Sequence, residues 1–315
     1  MIELRGIVKR YDGRFAVDGL DLDVAEGEFV VLLGPSGCGK TTTLRAINRM
    51  VDIDAGTIRV DGRDVTGVSA DELRRHIGYV IQSIGLFPHM TVARNVAVVP
   101  RLLGWEHERI DVRVNELLEI VGLAPDEYAH KKPRQLSGGE QQRVGVARAL
   151  AADPPILLMD EPFGALDPIS RQRLQVELRE LHRLLGKTIV FVTHDVEEAV
   201  VLADRIALMR DGRLVQYDTP EGLWLRPADE FVRTFFGEEL SLKILSRHTV
   251  AEVSLQPATG AETARRELSS ETSLRDALAL MVTCCDGSLV VRGDDGRVAG
   301  LLTFDDIVRW VRGRV

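Results

Sequence analysis

The sequence predicts an α/β fold, a doubly wound parallel sheet, with a small α+β unit behind it. Continuous apolar runs, "EFVVLLG", "PILLMDE" and "KTIVFVTHD", read as strands buried on both faces. Helical stretches alternate with these runs, the pattern that lays helices over both sides of a parallel sheet. A glycine-rich turn follows the first run directly.

Taken in order, residues 1 to 33 alternate as short strands, "IELRGIVKRY", "FAVDGLDLDV" and "EFVVLLG". Ser69 and Glu72 stand at capping-box spacing and open a helix over 69–75. The apolar run "GYVI" ends at Gln82 and hands over to a Phe-Pro turn. A mainly helical block then runs from Thr91 to Leu150. Between the strands "PILLMDE" and "KTIVFVTHD", Leu174, Leu178, Leu181 and Leu185 form one stripe of an amphipathic helix that Gly186 ends. The Gly-Glu-Glu segment at 237–239 leads into a linker containing "QPATGAETARRE". Residues 268 to 312 then read as helix, strand, turn, strand, helix. The expected organisation is a domain over 1–240, a linker over 241–267 and a second domain over 268–315.

The chain has 315 residues, 45% hydrophobic and 28% charged, which suits one large α/β domain with a smaller companion. A net charge of -8 weighs against a nucleic-acid partner, which calls for a basic stripe. No apolar run approaches the roughly 18 residues of a membrane span. The start, "MIELRGIVKRYDG", lacks the apolar core of a secretory signal. Cys38, Cys284 and Cys285 stand at no metal-ligand spacing, so free thiols in a reducing compartment are expected. The adjacent pair reads as small apolar residues of a core rather than a redox switch. A membrane role would come through a partner.

"GPSGCGKTT", Gly34 to Thr42, fits G-x-x-x-x-G-K-[ST] and follows a buried strand. Its glycines let successive N–H groups turn inward, and the positive end of the next helix completes a cradle for a triphosphate. Lys40 is expected to reach the β- and γ-phosphates of ATP and Thr41 to bind Mg²⁺. "PILLMDEP" delivers Asp160 and Glu161 at the carboxyl end of a second strand, where ligands of such sheets sit. Asp160 is placed to hold Mg²⁺ through water, and Glu161 to orient or deprotonate the attacking water. His194, the polar tip of "TIVFVTH", faces the same crevice as a candidate γ-phosphate sensor. Taken singly, the turn, the carboxylate pair and the histidine each have a plain packing explanation; together they point to nucleotide chemistry.

"LSGGEQQRVGVARAL", Leu136 to Leu150, decides the resemblance. With the phosphate loop, Gln82, "LLMDEP", "GALD" and His194, the chain resembles an ATP-binding cassette (ABC) ATPase over residues 1 to 240. The resemblance implies a P-loop NTPase fold with an antiparallel β subdomain and a helical subdomain at about 89–152. It also implies a homodimer in which each ATP lies between one phosphate loop and the partner's Ser137, Gly138 and Gly139. Carried over by position, Tyr11 would stack on adenine. Gly34, Pro35, Ser36, Gly37, Cys38, Gly39, Lys40, Thr41 and Thr42 would hold phosphates. Gln82 would touch Mg²⁺ and the attacking water, and Asp167 would contact the other subunit. Catalysis would fall to Glu161, His194, Gln82 and Lys40, and the metal to Thr41, Gln82 and Asp160. Glu140 departs from the Gln of many relatives.

The segment after Gln82, to about Asn95, resembles the groove that receives a cytoplasmic helix of a membrane permease. "IGLFPHMTVARNVAVVPRLLGW" is similar to importers of quaternary amines: glycine betaine, choline, carnitine and proline betaine. That class implies an integral membrane permease, an extracytoplasmic substrate-binding protein and a peripheral position on the cytoplasmic face of the inner membrane. Residues 268 to 312, with "DDGRVAGLLTFDDI", resemble a single cystathionine-β-synthase (CBS) domain. Thr303 and Asp306 match its ribose-holding Thr-x-x-Asp, and equally match a helix capping box; an adenine nucleotide there is the first alternative. Rival readings are an importer ATPase for another small solute, a soluble ABC ATPase acting on ribosomes or DNA, and an exporter. One cassette and a permease-type segment disfavour the last two.

Overall fold

The computed structural model describes residues 1–82, 85–164, 166–237, 240–257, 266–284, 287–293 and 296–313. They form two compact units, Met1–Tyr217 and Asp218–Val315. Cys285, part of the "DDGR" turn and most of "QPATGAETARRE" lie outside the described residues.

The first unit is built on ten strands among the described residues: β1 (Ile2–Tyr11), β2 (Arg14–Val24), β3 (Phe29–Leu33), β4 (Ala55–Val60), β5 (Arg63–Asp64), β6 (Ile77–Val80), β7 (Ile156–Asp160), β8 (Thr188–Val192), β9 (Arg205–Arg210) and β10 (Arg213–Asp218). A four-stranded antiparallel sheet runs β2-β1-β4-β5. Its alternation explains it: Ile2, Leu4, Leu20 and Leu22 are buried while Glu3, Arg5 and Asp21 face out, the pattern of a sheet wet on one side. The second sheet runs β10-β9-β3-β8-β7-β6, with β9, β3, β8, β7 and β6 parallel. Every residue of β3, β7 and β8 is buried, as their unbroken apolar runs predict.

Inner residues of both sheets and of helix Lys40–Ile47, among them Leu4, Leu22, Val30, Leu32, Leu44 and Ile47, share one core. Helix Ala70–Arg75 starts as expected, the Ser69 hydroxyl accepting from the Glu72 N–H at 3.1 Å. Helix Pro168–Leu185 buries Leu174 and Leu178 and ends at Gly186 in the left-handed conformation. The helical block comprises Val92–Val96, Val98–Leu102, His107–Ile120, Pro125–Tyr128 and Gly138–Leu150.

The second unit carries helices Pro220–Leu225, Glu230–Phe236 and Leu240–Leu245 ahead of a three-stranded sheet, β11 (Glu267–Ser269), β12 (Ser288–Arg292) and β13 (Val298–Thr303). Helices Leu274–Cys284 and Phe304–Arg312 complete it, and β11, which sequence patterning missed, pairs parallel to β12. Part of the stretch expected as linker is built into this unit. Leu245, Val250 and Val253 pack with Leu268, Leu274, Leu289 and Leu302, because those apolar residues have a core to enter. Cys284 is half-buried.

Candidate functional site

Four parallel strands end side by side in the order β3, β8, β7, β6, so whatever follows them in the chain meets at one edge. The phosphate loop follows β3, His194 follows β8, Asp160 and Glu161 close β7, and Gln82 lies just past β6. The sequence spreads these residues from Gly34 to His194; the sheet order brings them together.

The loop demands its glycines. Gly34 has φ 147°, and a Cβ there would lie 2.2 Å from the Met209 carbonyl oxygen. Gly39 has φ 103°, with the Ala16 carbonyl oxygen at 2.2 Å from the same hypothetical atom. No side chain fits either position. Lys40 is buried beneath the loop, its Nζ donating to the Gly34 carbonyl at 2.7 Å and the Pro35 carbonyl at 3.0 Å. Pro35, Ser36 and Gly37 are exposed above it, while Cys38 packs underneath, where burial pushes its thiol pKa up. Thr41 and Thr42 follow on the first turn of helix Lys40–Ile47.

The Thr41 hydroxyl donates to Asp160 Oδ1 at 2.9 Å, and Arg45 stands 3.8 Å from Asp160 Oδ2. Burial raises the Asp160 carboxyl above its ordinary range, opposed by the Thr41 hydrogen bond and the Arg45 charge. A hydroxyl and a carboxylate so placed suit Mg²⁺, which takes one or two such ligands alongside phosphate oxygens and water. The described residues hold no cluster of three or more His, Cys, Asp or Glu that would cage a metal without phosphate. Arg45 was missed in the sequence, although its spacing from Thr41, four residues along a helix, places both on one face.

Glu161 is held from two sides. Gln82 Nε2 donates to Oε2 at 3.1 Å, and His194 Nδ1 lies 3.3 Å from Oε1. Its backbone sits at φ 42°, unusual for a residue with a side chain, and is fixed by a hydrogen bond from its N–H to the Val192 carbonyl at 3.0 Å. Three residues singled out separately in the sequence thus share one carboxylate.

Ser137 caps helix Gly138–Leu150: its hydroxyl accepts from the Glu140 N–H at 3.3 Å, and Glu140 Oε2 accepts from the Ser137 N–H at 2.7 Å. The Tyr128 hydroxyl donates to Glu140 Oε1 at 2.7 Å. That bond and the Ser137 N–H hold the Glu140 carboxyl below its usual range. A carboxylate here accepts on both oxygens, so Glu140 locks the Ser-Gly-Gly corner. Ser137 and Gly138 stay exposed. Asp167 caps helix Pro168–Leu185 through the Ile169 and Ser170 N–H groups at 3.1 and 3.0 Å.

The Tyr11 ring, 48% exposed, projects at the β1–β2 turn with Lys9 Nζ 5.3 Å from its centre. Phe15 is nearby in the strand pairing and equally exposed, under the Arg10 guanidinium at 4.1 Å. Past Gln82, buried Asn95 pins the exposed Phe-Pro turn, accepting from the Phe87 N–H at 2.7 Å and donating to the Phe87 and Thr91 carbonyls at 3.2 and 3.0 Å. Arg148, from helix Gly138–Leu150, donates to the Gly85 carbonyl at 2.6 Å.

In the second unit Thr303 and Asp306 form the capping box of helix Phe304–Arg312. Asp306 is buried: Oδ2 accepts from the Thr303 N–H and hydroxyl at 3.0 and 2.6 Å, and Oδ1 from Gln256 and Arg309 at 2.8 and 3.0 Å. Both oxygens are engaged within this unit.

Residues 17–164 match the family model of ABC transporters, and residues 267–313 match that of CBS domains. The glycine betaine uptake system ATP-binding protein YehX of Escherichia coli (strain K12) is 49% identical over 310 residues, 98% of this chain and 99% of that protein. The chain belongs to the ABC transporter ATP-binding proteins. This ABC ATPase is also 45% identical to the choline transport ATP-binding protein OpuBA of Bacillus subtilis (strain 168), over 98% of this chain and 79% of that protein. A dimeric ATP-binding cassette solved in a post-hydrolysis state with ADP and Pi bound superposes with a TM-score of 0.62 at 35% identity, covering 70% of this chain and 98% of that one. The ABC ATPase therefore binds and hydrolyses ATP on a P-loop fold, and a CBS domain follows the cassette in the chain. No helix of the described residues is long and apolar enough to cross a membrane.

Proposed function

We propose that this ABC ATPase energises uptake of a quaternary amine, of the glycine betaine, choline, carnitine and proline betaine class, through a separate membrane permease. The observation that carries the reading is the end-to-end match, second unit included, to a protein named for glycine betaine uptake. The same class brings an extracytoplasmic binding protein as cargo donor, and a peripheral place on the cytoplasmic face of the inner membrane.

Two chains clamp two ATP molecules, each between one phosphate loop and the partner's Ser137, Gly138 and Gly139. Loop N–H groups and Lys40 bind the phosphates, and Tyr11 lies against the base. Thr41, Asp160 and Gln82 would hold Mg²⁺, which would supply neutralisation of phosphate charge there. Glu161 orients the attacking water and takes its proton, with Gln82 and His194 fixing the carboxylate between them. His194 also faces the γ-phosphate. Because Gln82 leads into the segment that Asn95 pins, occupancy of the nucleotide site moves the permease groove. ATP closes the dimer and turns the permease outward; hydrolysis reopens the dimer and releases cargo inward.

The CBS unit adjusts transport to ionic strength. A ribose at Thr303 and Asp306 would have to displace Gln256 and Arg309 from Asp306, so the capping role is favoured there.

The test is uptake of labelled glycine betaine, choline and spermidine into vesicles carrying the ATPase with its neighbouring permease and binding protein. ATP-dependent uptake of the two quaternary amines without spermidine is expected. Uptake of spermidine alone would overturn the substrate class while leaving the ATPase reading intact.

A further inference from the structure

A partly buried polar network that the hydrolysis chemistry leaves unused joins the segment ending at Asp167 to the strand end that carries His194. Arg171, one turn into helix Pro168–Leu185, fans its guanidinium over three partners. One terminal nitrogen donates to the Leu166 carbonyl at 3.2 Å, the other to Asp195 Oδ2 at 3.4 Å, and Nε faces Glu198 Oε1 at 3.8 Å. Glu198 is 4% exposed, and its second oxygen accepts from the Thr193 hydroxyl at 2.6 Å. The Asp195 N–H closes the ring on the same hydroxyl at 3.0 Å. Thr193 and Asp195 flank His194, whose ring reaches Glu161.

A charged carboxylate buried so deeply is costly unless it is held on both oxygens. Burial pushes the Glu198 carboxyl up; hydrogen bonds from the Thr193 and Gln175 side chains and the Arg171 charge oppose that. The planar guanidinium hydrogen-bonds Leu166 and Asp195 in directions fixed relative to one another, which a lysine ammonium cannot reproduce, while its charge faces Glu198 without a hydrogen bond. Movement of Leu166 and Asp167 therefore carries Thr193 and Asp195 with it, and His194 sits between those two residues.

We propose that Arg171 and Glu198 are positioning residues that lock Asp167 and His194 into one unit, so that contact at Asp167 with the partner chain sets the Glu161 carboxylate for hydrolysis. The inference rests on the two-chain reading above.

Full-length chain carrying Arg171→Lys, Glu198→Gln, His194→Ala or Arg171→Lys with His194→Ala is assayed for steady-state ATP hydrolysis and for affinity toward a fluorescent ATP analogue. Arg171→Lys and Glu198→Gln should lower kcat roughly ten- to a hundredfold with nucleotide Kd nearly unchanged. Arg171→Lys should cost nothing further in the His194→Ala background, since it acts through that residue. Leu178→Ala, a packing change on the same helix, is the fold control and should lower Tm without that kcat loss. Wild-type kcat in Arg171→Lys, or full additivity with His194→Ala, would overturn the inference. Failure of the two-chain reading shows separately, as hyperbolic ATP dependence in the wild type, while the kcat comparison still decides the role of Arg171.

Discussion

At Glu161 the backbone occupies a conformation that costs of order 1–3 kcal/mol for a residue with a side chain, a strain that clusters where geometry serves function. It aims the carboxylate between Gln82 and His194. Gln82→Ala should leave nucleotide affinity close to wild type and lower kcat, because the amide positions a catalytic group; weakened affinity with kcat unchanged would assign Gln82 to ground-state binding. Lys40→Ala should weaken nucleotide binding by about tenfold or more, the scale of a lost charge-assisted hydrogen bond, in a direct titration. Most of these residues were legible in the sequence because the motif spacings are fixed by backbone geometry. Arg45, Arg171 and Glu198 were not, because no fixed motif spacing marks them and the Asp160 and Asp195 partners of the two arginines come from other segments.

At the scale of elements, the corner at Ser137 depends on Glu140, a carboxylate accepting from the Ser137 N–H and the Tyr128 hydroxyl. Glu140→Ala should destabilise the cassette by about 1 kcal/mol, the usual worth of such a cap, and raise the ATP concentration needed for hydrolysis; thermal unfolding and KM check the two effects. Helix starts were readable from Ser69, Ser137 and Thr303 because capping is local. The packing of Leu245, Val250 and Val253 was hidden by a polar surround that reads as linker.

The second unit contains a charge cluster of its own. Glu221 accepts from His248 at 3.1 Å and pairs with Arg247 at 3.4 Å, while the other His248 nitrogen reaches Glu252 at 2.9 Å. Burial alone would raise the Glu221 carboxyl, but His248 and Arg247 outweigh it and bring it down to about 2. A depressed carboxyl stabilises the fold above its ordinary pKa and loses that contribution as pH falls through the folded value. Stability of this unit should therefore drop between about pH 4.5 and 2, and Glu221→Gln should flatten that stretch of the unfolding curve.

For the whole molecule, the division into two compact units leaves the phosphate site in the first and the proposed adjusting role in the second. Leu289 is fully buried in the second unit's core, so Leu289→Asp should unfold that unit and spare the phosphate site. The expected outcome is retained ATP hydrolysis with a flattened salt dependence of reconstituted uptake. An unchanged salt response would remove the adjusting role. The α/β class was legible, since unbroken apolar runs and a glycine cradle leave few alternatives, while β11 and the packing ahead of it were not.

In the proposed cycle triphosphate holds two chains together and its hydrolysis lets them go. Sedimentation of Glu161→Gln with saturating ATP, and again with ADP, measures this directly. A dimer with ATP and a monomer with ADP is the predicted result, with Ser137→Arg abolishing the dimer. A monomer at saturating ATP, or a dimer indifferent to the nucleotide, would contradict it.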